Sequence, residues 1–330
     1  MDWDHGGEER ESGRGCCMDE GRASRTAIAT AYFRAHHYAH ASPKIFEDSL
    51  AGALLNARER EAVEKFLLEG LAKYNPALAR SRADRTTLVG YALRGLVVVL
   101  ARARYTEDRL AEAMRDGVSQ YVVIGAGLDT FALRRPDLQD RLRIIEIDHP
   151  ATQTSKQKRI REAGLTPPPH LYFAPADLEK ESLAEVLSRT PYDSARPAFF
   201  SWLGVTMYLT GDAIRATLHS LRGSAAAGSQ LVFDYLDRAV FEPGNQSPTR
   251  SRLFETVRRV GEPIIFGFDP STLGAELAAQ GFRLLEDLGP EAQEELFYRN
   301  RADGLRPTGS AHLARAEAVQ GVLGDSRQEK

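Results

Sequence analysis

The sequence predicts an α/β fold in which helices cover both faces of a mostly parallel β-sheet and a helical cap precedes the sheet. Two observations support this prediction. From residue 121 onward, short apolar segments typical of buried strands alternate with amphipathic segments, and such alternation indicates right-handed βαβ units. Before residue 121, apolar residues recur at spacings of three and four, a period that indicates helices.

The composition is that of an ordinary globular protein. The 330 residues are 42% apolar and 27% charged, with a formal net charge of −3. A chain of this length has room for one large α/β domain with a helical elaboration, or for two small domains. The slightly acidic net charge gives no indication of the basic face that nucleic-acid binding requires. We therefore expect a small-molecule partner, and the oligomeric state is left open.

Neither a membrane span nor a metal site is expected. No apolar run reaches the roughly 20 residues that cross a bilayer. Residues 1–21 are acidic and polar, without the basic start and apolar stretch of a secretory signal, and this favours a cytoplasmic protein. The two cysteines, Cys16 and Cys17, are adjacent, a spacing that suits neither a disulfide between them nor a zinc site.

Three segments can be distinguished along the chain. Residues 1–24 have no apolar pattern and are predicted to form a disordered tail. Residues 25–116 are predicted to form the helical cap, which Pro43 and Pro76 divide into about four helices. Residues 117–330 are predicted to form the sheet domain, with a helical insertion at about 241–262.

The predicted elements of the sheet domain follow one another at regular intervals. Strands are predicted at residues 121–124, 142–147, 171–175, 198–202, 230–235, 282–287 and 312–317. Helices are predicted at residues 151–163, 178–187, 211–222 and 270–280. The connection between the last two strands, residues 289–310, is long and carries Tyr298 and three arginines.

The loop of residues 125–130, Gly-Ala-Gly-Leu-Asp-Thr, follows the first strand and precedes a helix. Glycines let a backbone approach a ligand closely, and the free amides of a helix N-terminus bind anionic groups. Dinucleotide-binding proteins have a third glycine where this loop has Thr130, and its absence disfavours a dehydrogenase. The loop predicts a cofactor site at Gly125 and Gly127.

Acidic residues follow the next two strands. Asp148 stands about 20 residues beyond the glycine loop, where a carboxylate can accept hydrogen bonds from both hydroxyls of an adenosine ribose. That ribose is common to NAD and S-adenosylmethionine (SAM). The alternative for Asp148 is the N-cap of the helix that opens at Pro150. Asp177 follows the third strand and is predicted either to bind the adenine amino group or to cap the next helix.

These motifs resemble the SAM-binding core of the leucine carboxyl methyltransferase family, which includes many bacterial enzymes that act on small molecules. The similar segments are Val-Ile-Gly-Ala-Gly-Leu-Asp-Thr at 123–130, Glu-Ile-Asp-His-Pro at 146–150 and Ser-Trp-Leu-Gly-Val-Thr-Met-Tyr-Leu-Thr at 201–210. Gly-Tyr-Ala-Leu-Arg at 90–94 resembles the family's Gly-Tyr-x-x-Arg, and residues 22–27 and 45–51 resemble its N-terminal segment. The resemblance covers roughly residues 22–320 and implies a Rossmann-like class I methyltransferase sheet.

The resemblance also implies a cofactor, SAM, and the residues that bind it. The glycine loop, with Gly125 and Gly127, would face the methionine part of SAM. Asp148 would bind the ribose. Asp177 and Leu178 would flank the adenine.

The family's Gly-Tyr-x-x-Arg arginine, which corresponds to Arg94, would bind the carboxylate of the cofactor. A guanidinium group matches a carboxylate with two parallel hydrogen bonds. The alternative for Arg94 is a solvated arginine on a helix. Arg34 is a second candidate for the same carboxylate.

One position departs from the family pattern. Many members have a glutamate five residues before the tyrosine of the 201–210 segment, and here that position is Leu203, which puts a catalytic or cofactor role there in doubt. Trp202 and Tyr208 are predicted to shape the substrate pocket, or else to be ordinary core residues. Tyr298 and Arg299 are predicted to lie where the acceptor enters, under the cap and the late loop.

The predicted function is SAM-dependent methyl transfer to the oxygen of a carboxylate on a small molecule or natural-product intermediate. A carboxylate has a pKa of about 4 and is ionised at neutral pH, so it needs no general base, and the sequence identifies none. Three alternatives stay open. They are methylation of a carbon, nitrogen or phenol by the same fold, a SAM-binding protein without catalytic activity and, more distantly, a nicotinamide-dependent dehydrogenase.

Overall fold

The computed structural model describes residues 24–178, 180–242, 244–245 and 263–320. The predicted tail with Cys16 and Cys17 lies almost entirely outside these residues, and so does most of the predicted insertion at 241–262. Within the described part, seven strands form one sheet, and apolar clusters cover both of its faces. The predicted fold class is confirmed.

The strands are, in chain order, β1 Gln120–Ile124, β2 Arg143–Asp148, β3 Leu171–Pro175, β4 Phe199–Trp202, β5 Gln230–Leu236, β6 Phe282–Leu288 and β7 Ala311–Ala318. Their order in the sheet is β3-β2-β1-β4-β5-β7-β6. Strands β1 to β5 pair in parallel, and β7 pairs antiparallel with β5 and β6. Each predicted strand is present. Buried parallel strands form continuous apolar segments bounded by turns, which is how β1, β4 and β5 are recognised.

The ends of β1 to β5 form one edge of the sheet, which we call the carboxyl edge. Ala311, the first residue of β7, is paired with Leu236, the last residue of β5. The connection 289–310 therefore returns to the carboxyl edge before β7 runs back through the sheet. Ligands of open α/β sheets bind outside this edge, so a late segment of the chain reaches the candidate site.

The α-helices of the described residues are α1 Arg25–His40, α2 Ala57–Tyr74, α3 Pro76–Ala79, α4 Arg85–Ala92, α5 Val98–Arg115, α6 Phe131–Arg134, α7 Pro150–Glu162, α8 Leu183–Ser188, α9 Gly211–Ser224, α10 Leu273–Ala279 and α11 Pro290–Gln293. Short 3-10 turns occur at Ala51–Leu54, Leu93–Leu96, Pro136–Leu138, Thr206–Tyr208 and Arg238–Phe241, and a π-helical turn at Glu294–Tyr298. The described residues before β1 are helical and contain no strand, as predicted.

Helix α8 begins later than the predicted helix at 178–187. Its N-cap is Ser182, whose side chain accepts a hydrogen bond from Glu185 N while the Glu185 carboxylate accepts one from Ser182 N. This reciprocal capping box defines the start of the helix. Before it, the Asp177 carbonyl oxygen accepts hydrogen bonds from the amides of Lys180 and Glu181, which close a separate turn.

Helix α5 packs on the sheet, although it belongs to the predicted cap. Its residues Leu100 and Tyr105 are buried in one apolar cluster with Tyr121 of β1 and Phe199 of β4. The same cluster includes Phe33 of α1. The apolar interior is therefore continuous from the N-terminal helices to the sheet, and a domain boundary at residue 116 stays a prediction.

Among the described helices, none is by itself long and apolar enough to cross a membrane. The segments Arg85–Leu96 and Val98–Arg115, bent by 64° relative to each other, meet that criterion of length and composition only as a pair. The cytoplasmic location stays a prediction.

Candidate functional site

The glycine loop, residues 125–130, leaves the sheet at the carboxyl end of β1. Gly125 and Gly127 have φ angles of 72° and 51°, in the left-handed region that residues with side chains rarely adopt. A Cβ atom on Gly125 would lie 2.6 Å from Cγ2 of Val205, which follows β4. Glycine is therefore required at 125 for steric and conformational reasons, because Val205 packs against it.

Asp148 ends β2, and its carboxylate lies against the glycine loop. Oδ2 accepts a hydrogen bond of 2.5 Å from Gly127 N, and Oδ1 accepts one of 2.7 Å from His149 N. Burial raises the pKa of Asp148, while these two amides act in the opposite direction. The N-cap of α7 is His149, whose side chain accepts a hydrogen bond from Ala151 N. The alternative in which Asp148 caps α7 is therefore wrong.

Asp177 and Leu178 follow β3 at the same edge. The Asp177 carboxylate forms a 2.8 Å ion pair with the exposed side chain of Lys180. Because Ser182 caps α8, the alternative in which Asp177 caps that helix is wrong. Leu178 is half-buried and packs against the apolar cluster on one face of the sheet. The placement of both residues beside an adenine stays a prediction.

An arginine that the sequence motifs did not identify lies at the carboxyl edge. Nη1 of Arg102, on α5, forms a 2.8 Å ion pair with Oδ2 of Asp234, on β5. Oδ1 of Asp234 accepts a hydrogen bond of 2.5 Å from Gly204 N. A Cβ atom on Gly204 would lie 2.5 Å from Nη2 of Arg102. The Arg102 guanidinium group is therefore mostly buried near the ends of β4 and β5. It lies next to the segment after β4, in which Val205 packs against Gly125.

A signal for this ion pair was present in the sequence. Arg102 follows the buried residues Val99, Leu100 and Ala101 on α5, and a charged group among such neighbours needs a partner. Asp234 is buried within the apolar strand β5 and has the same need. Opposite charges in a helix and a strand that pack together predict an ion pair between them.

The two arginines predicted to bind the cofactor carboxylate differ in their position. The Arg94 guanidinium lies over the Tyr91 ring, 4.5 Å from its centroid, and Nη2 donates a 2.8 Å hydrogen bond to the Asp303 carbonyl oxygen. Arg94 is exposed and joins the end of α4 to the loop before β7, so its role toward a cofactor stays a prediction. Nη2 of Arg34 donates a 2.7 Å hydrogen bond to the carbonyl oxygen of Leu128 and thus contacts the glycine loop.

Three of the predicted pocket residues offer little to a ligand in this conformation. Trp202 and Tyr298 are fully buried, and the Tyr298 hydroxyl donates a 3.2 Å hydrogen bond to the Val97 carbonyl oxygen. Arg299 is exposed and forms an ion pair with Glu295 of the preceding turn. Burial of Trp202 favours the alternative in which it is a core residue, and burial of Tyr298 disfavours its predicted place at the acceptor entrance.

Leu203 and Tyr208 lie in the segment that follows β4. Leu203 is half-buried and packs against the apolar cluster that contains α5 and β1. Tyr208 is half-buried in the 3-10 turn Thr206–Tyr208. Leucine at 203 leaves no carboxylate at that position, but Asp234 lies beside the segment and accepts the hydrogen bond from Gly204 N.

A buried ion pair lies next to Asp148. Glu146, on β2, accepts a 2.5 Å hydrogen bond from the Lys156 ammonium group, on α7, and both side chains are 1% exposed. Burial raises the pKa of Glu146 to about 7, although Lys156 acts in the opposite direction. The pair joins α7 to β2 near the strand end that carries Asp148.

Known proteins resemble this chain in sequence and in fold. The sequence profile of leucine carboxyl methyltransferases matches residues 27–222. YktD of Bacillus subtilis, provisionally named an S-adenosyl-L-methionine-dependent methyltransferase, is 32% identical over 302 residues, which cover 91% of this chain and 99% of YktD. A Frankia alni protein with the same provisional name is 28% identical over 217 residues, covering 66% of this chain and 70% of that protein.

Among solved structures, a DUF574 family protein from Streptomyces avermitilis has a TM-score of 0.55 at 14% sequence identity. The similarity covers 91% of this chain and 99% of that protein. At this level of identity, the likeness concerns the fold alone.

Proposed function

Because the chain belongs to the leucine carboxyl methyltransferase family, we propose that it transfers the methyl group of SAM to a carboxylate of a small molecule. The family and the methyltransferase class of enzyme, both predicted from the sequence, are confirmed by the matching profile and by YktD. SAM, the cofactor predicted from the sequence, is the one that these relatives are named for. The carboxylate acceptor is the part of the proposal that experiment must decide.

The carboxyl edge offers the groups that SAM requires. The observation that carries the assignment is the Gly127–Asp148 hydrogen bond, which joins the glycine loop to an acid at the end of the adjacent strand. Asp148 would bind the ribose, and the loop backbone would lie along the methionine part. Arg102 would bind the carboxylate with two parallel hydrogen bonds, and Asp177 with Leu178 would flank the adenine. Bound SAM supplies an electrophilic methyl group on a sulfonium sulfur.

Two arguments support a carboxylate acceptor. The matching family is named for methyl transfer to a carboxyl group. A carboxylate acceptor is already ionised, so it needs only alignment with the methyl group and exclusion of water. The loop before β7 also meets the helical side at a guanidinium group. Arg94, in the turn after α4, is exposed and donates to the Asp303 carbonyl oxygen, whereas the Arg301 side chain is 5% exposed and paired with the Asp303 carboxylate. The exposed guanidinium group of Arg94 suits an acidic substrate.

The product distinguishes this proposal from other methyl transfers. With labelled SAM and a small-molecule extract as the source of acceptors, we expect the label in a methyl ester, from which mild base releases it as methanol. Turnover should be nearly flat between about pH 6 and pH 9, because an ionised acceptor needs no deprotonation. Label that survives base, together with a rate that rises with pH, would contradict the carboxylate acceptor and leave the methyltransferase class intact.

A hydroxyl acceptor is the second candidate, because a carboxylate orients one histidine near the carboxyl edge. His312 of β7 is paired with Tyr235 near the end of β5, and its Nδ1 lies 3.0 Å from Oδ1 of Asp287. A carboxylate on one ring nitrogen orients the imidazole so that the other nitrogen can accept a proton. For this candidate, His312→Gln should lower turnover of a hydroxyl acceptor and leave SAM affinity unchanged, and unchanged turnover would contradict it.

Substitution can distinguish Arg102 from Arg94 as the arginine that binds the cofactor carboxylate. Arg102→Lys is expected to weaken SAM binding by about 2 kcal/mol, because a lysine cannot keep the bond to Asp234 and also form two bonds to a carboxylate. Titration calorimetry with SAM measures the effect, and Arg94→Lys is the matched variant. If only Arg94→Lys weakens binding, the cofactor carboxylate belongs to Arg94, as the Gly-Tyr-x-x-Arg resemblance predicts, and the assignment to Arg102 is wrong.

A further inference from the structure

We propose that Asp48 and Arg34 are positioning residues for the cofactor. They hold the glycine loop in its ligand-binding form from the helical side, so that SAM affinity depends on the docking of α1 and the segment after it. The proposal rests on the cofactor role given to the glycine loop above. Neither residue needs to touch SAM.

Arg34 joins α1 to the glycine loop. Its Nη2 donates to the carbonyl oxygen of Leu128 (2.7 Å), and its Nε donates to Oδ2 of Asp48 (2.8 Å). The side chains of Arg34 and Asp48 are 11% and 1% exposed. A carbonyl oxygen inside the loop is therefore bonded to a nearly buried cation, whose orientation a buried carboxylate fixes. This geometry gives Arg34 a task other than the predicted binding of the cofactor carboxylate.

Asp48 is the centre of the network. Its Oδ1 accepts hydrogen bonds from the amides of Leu50 and Ala51, at 3.2 and 2.9 Å, and from the hydroxyl of Thr130 at 2.7 Å. Burial favours its neutral form, but Arg34 and Arg134 outweigh burial and lower the pKa of Asp48 below its ordinary value. An ionised carboxylate thus bonds both the start of the 3-10 turn Ala51–Leu54 and the last residue of the glycine loop.

Arg134 extends the network to α5. Its Nε donates a 2.9 Å hydrogen bond to the Thr130 hydroxyl oxygen, so that hydroxyl both donates and accepts. Its two terminal nitrogens bond both carboxylate oxygens of Glu107, on α5. The glycine loop is therefore fastened at Leu128 and at Thr130 to elements outside the sheet.

Helix α1 also contacts the loop directly. A Cβ atom on Gly127 would lie 3.3 Å from Cβ of Ala27 in α1. The helix thus covers the glycine whose amide bonds Asp148. Contact at Gly127 and hydrogen bonds at Leu128 and Thr130 restrain the loop over its second half.

This restraint matters because ordering a flexible loop on binding costs conformational entropy. A glycine-containing loop has more freedom to lose than most segments. If the network already orders the loop in the free protein, little further conformational entropy is lost when the cofactor binds. Weakening the network should therefore lower cofactor affinity even though no cofactor contact is removed.

Titration calorimetry with S-adenosylhomocysteine (SAH), the demethylated product of SAM, tests the proposal on the full chain. Asp48→Asn is expected to weaken SAH affinity about tenfold, a coupling of about 1.4 kcal/mol, because a neutral amide cannot hold both arginines. The matched control is Asp108→Asn, which removes the acid of the exposed Arg104–Asp108 pair on α5 and should leave affinity unchanged. Melting temperatures of the same samples report stability separately.

Thr130 supplies a second test if Asp48→Asn does not fold. Thr130→Val removes the hydroxyl between Asp48 and Arg134 and should weaken SAH binding severalfold, whereas Thr130→Ser keeps the hydroxyl and should restore it. A lower melting temperature with SAH affinity within about twofold of the wild type would overturn the positioning role. If the wild-type protein binds no SAH, the cofactor assignment fails and the proposal fails with it.

Discussion

Replacement of Glu146 by leucine is expected to lower the free energy of unfolding by about 3–5 kcal/mol, because it leaves the Lys156 ammonium group buried without its partner. Both side chains are 1% exposed, so water cannot take over the lost interaction. Urea denaturation at pH 8, where the carboxylate is ionised, measures the loss.

The double variant Glu146→Leu/Lys156→Met distinguishes the effect of an unpaired buried charge from the effect of altered packing. Replacement of a whole buried pair by apolar residues is often neutral or stabilising, so the double variant should recover most of the loss. The surface pair Arg104–Asp108 is the control, and Asp108→Ala should change the free energy of unfolding by less than about 1 kcal/mol. Equal losses in the single and double variants would mean that packing, and not the unpaired charge, causes the effect.

The same pair predicts a dependence of stability on pH. Burial raises the pKa of Glu146 from 4.5 to about 7, so the folded state binds a proton more tightly than the unfolded state. Stability from this group is therefore fully present below pH 4.5 and is lost as pH rises through about 7. Relative to the double variant, which lacks the group, the wild-type protein should lose stability across this interval. A constant difference between the two proteins would contradict the raised pKa.

Replacement of Asp148 by alanine should weaken SAM binding by about 3 kcal/mol or more, a loss of over a hundredfold. Two effects add. The substitution removes the carboxylate predicted to bind both ribose hydroxyls, and it removes the acceptor of the Gly127 amide. The loop keeps its bonds from Gly125 N and Ala126 N to the Ile147 carbonyl oxygen but loses the one that holds Gly127. Titration calorimetry with SAM and with SAH measures the change.

Two further variants make the Asp148 result specific. Asp148→Asn keeps one acceptor oxygen and should lose less affinity than Asp148→Ala. Asp140→Ala removes an exposed acid before β2, at the opposite edge of the sheet, and should bind SAM like the wild type. If a folded Asp148→Ala protein binds SAM with wild-type affinity, the ribose lies elsewhere.

The strands and the glycine loop could be predicted from the sequence because their signals are local. A strand buried on both faces is a short apolar segment, and the loop needs glycine at the positions where φ is positive. The predicted start of α8 at residue 178 is too early, because Asp177 is a common type of N-cap residue but does not cap this helix. In the structure the N-cap is Ser182, because Glu185 three residues later completes a capping box with it.

The roles of the arginines could not be predicted in the same way, because they depend on residues that are distant in the chain. The Arg102–Asp234 bond joins residues 132 positions apart, and the Arg34–Leu128 bond joins residues 94 positions apart. A motif such as Gly-Tyr-x-x-Arg compares neighbours in the sequence and draws attention to Arg94. A charged residue among apolar neighbours, such as Arg102 or Asp234, signals that it needs a partner, and the packing of α1 and α5 shows which guanidinium groups reach the carboxyl edge.

The reversed direction of β7 has an evolutionary consequence. Because β7 starts opposite Leu236, the connection 289–310 reaches the carboxyl edge as one contiguous stretch, while Gly125, Asp148 and Arg102 are encoded far upstream. If the proposed site is correct, mutations in that stretch would change the acceptor pocket without altering the residues proposed to hold the cofactor. A lineage with this topology could then diversify in substrate while its cofactor residues stay fixed. An exchange of residues 289–310 between two relatives should transfer acceptor preference and leave SAM affinity with the recipient.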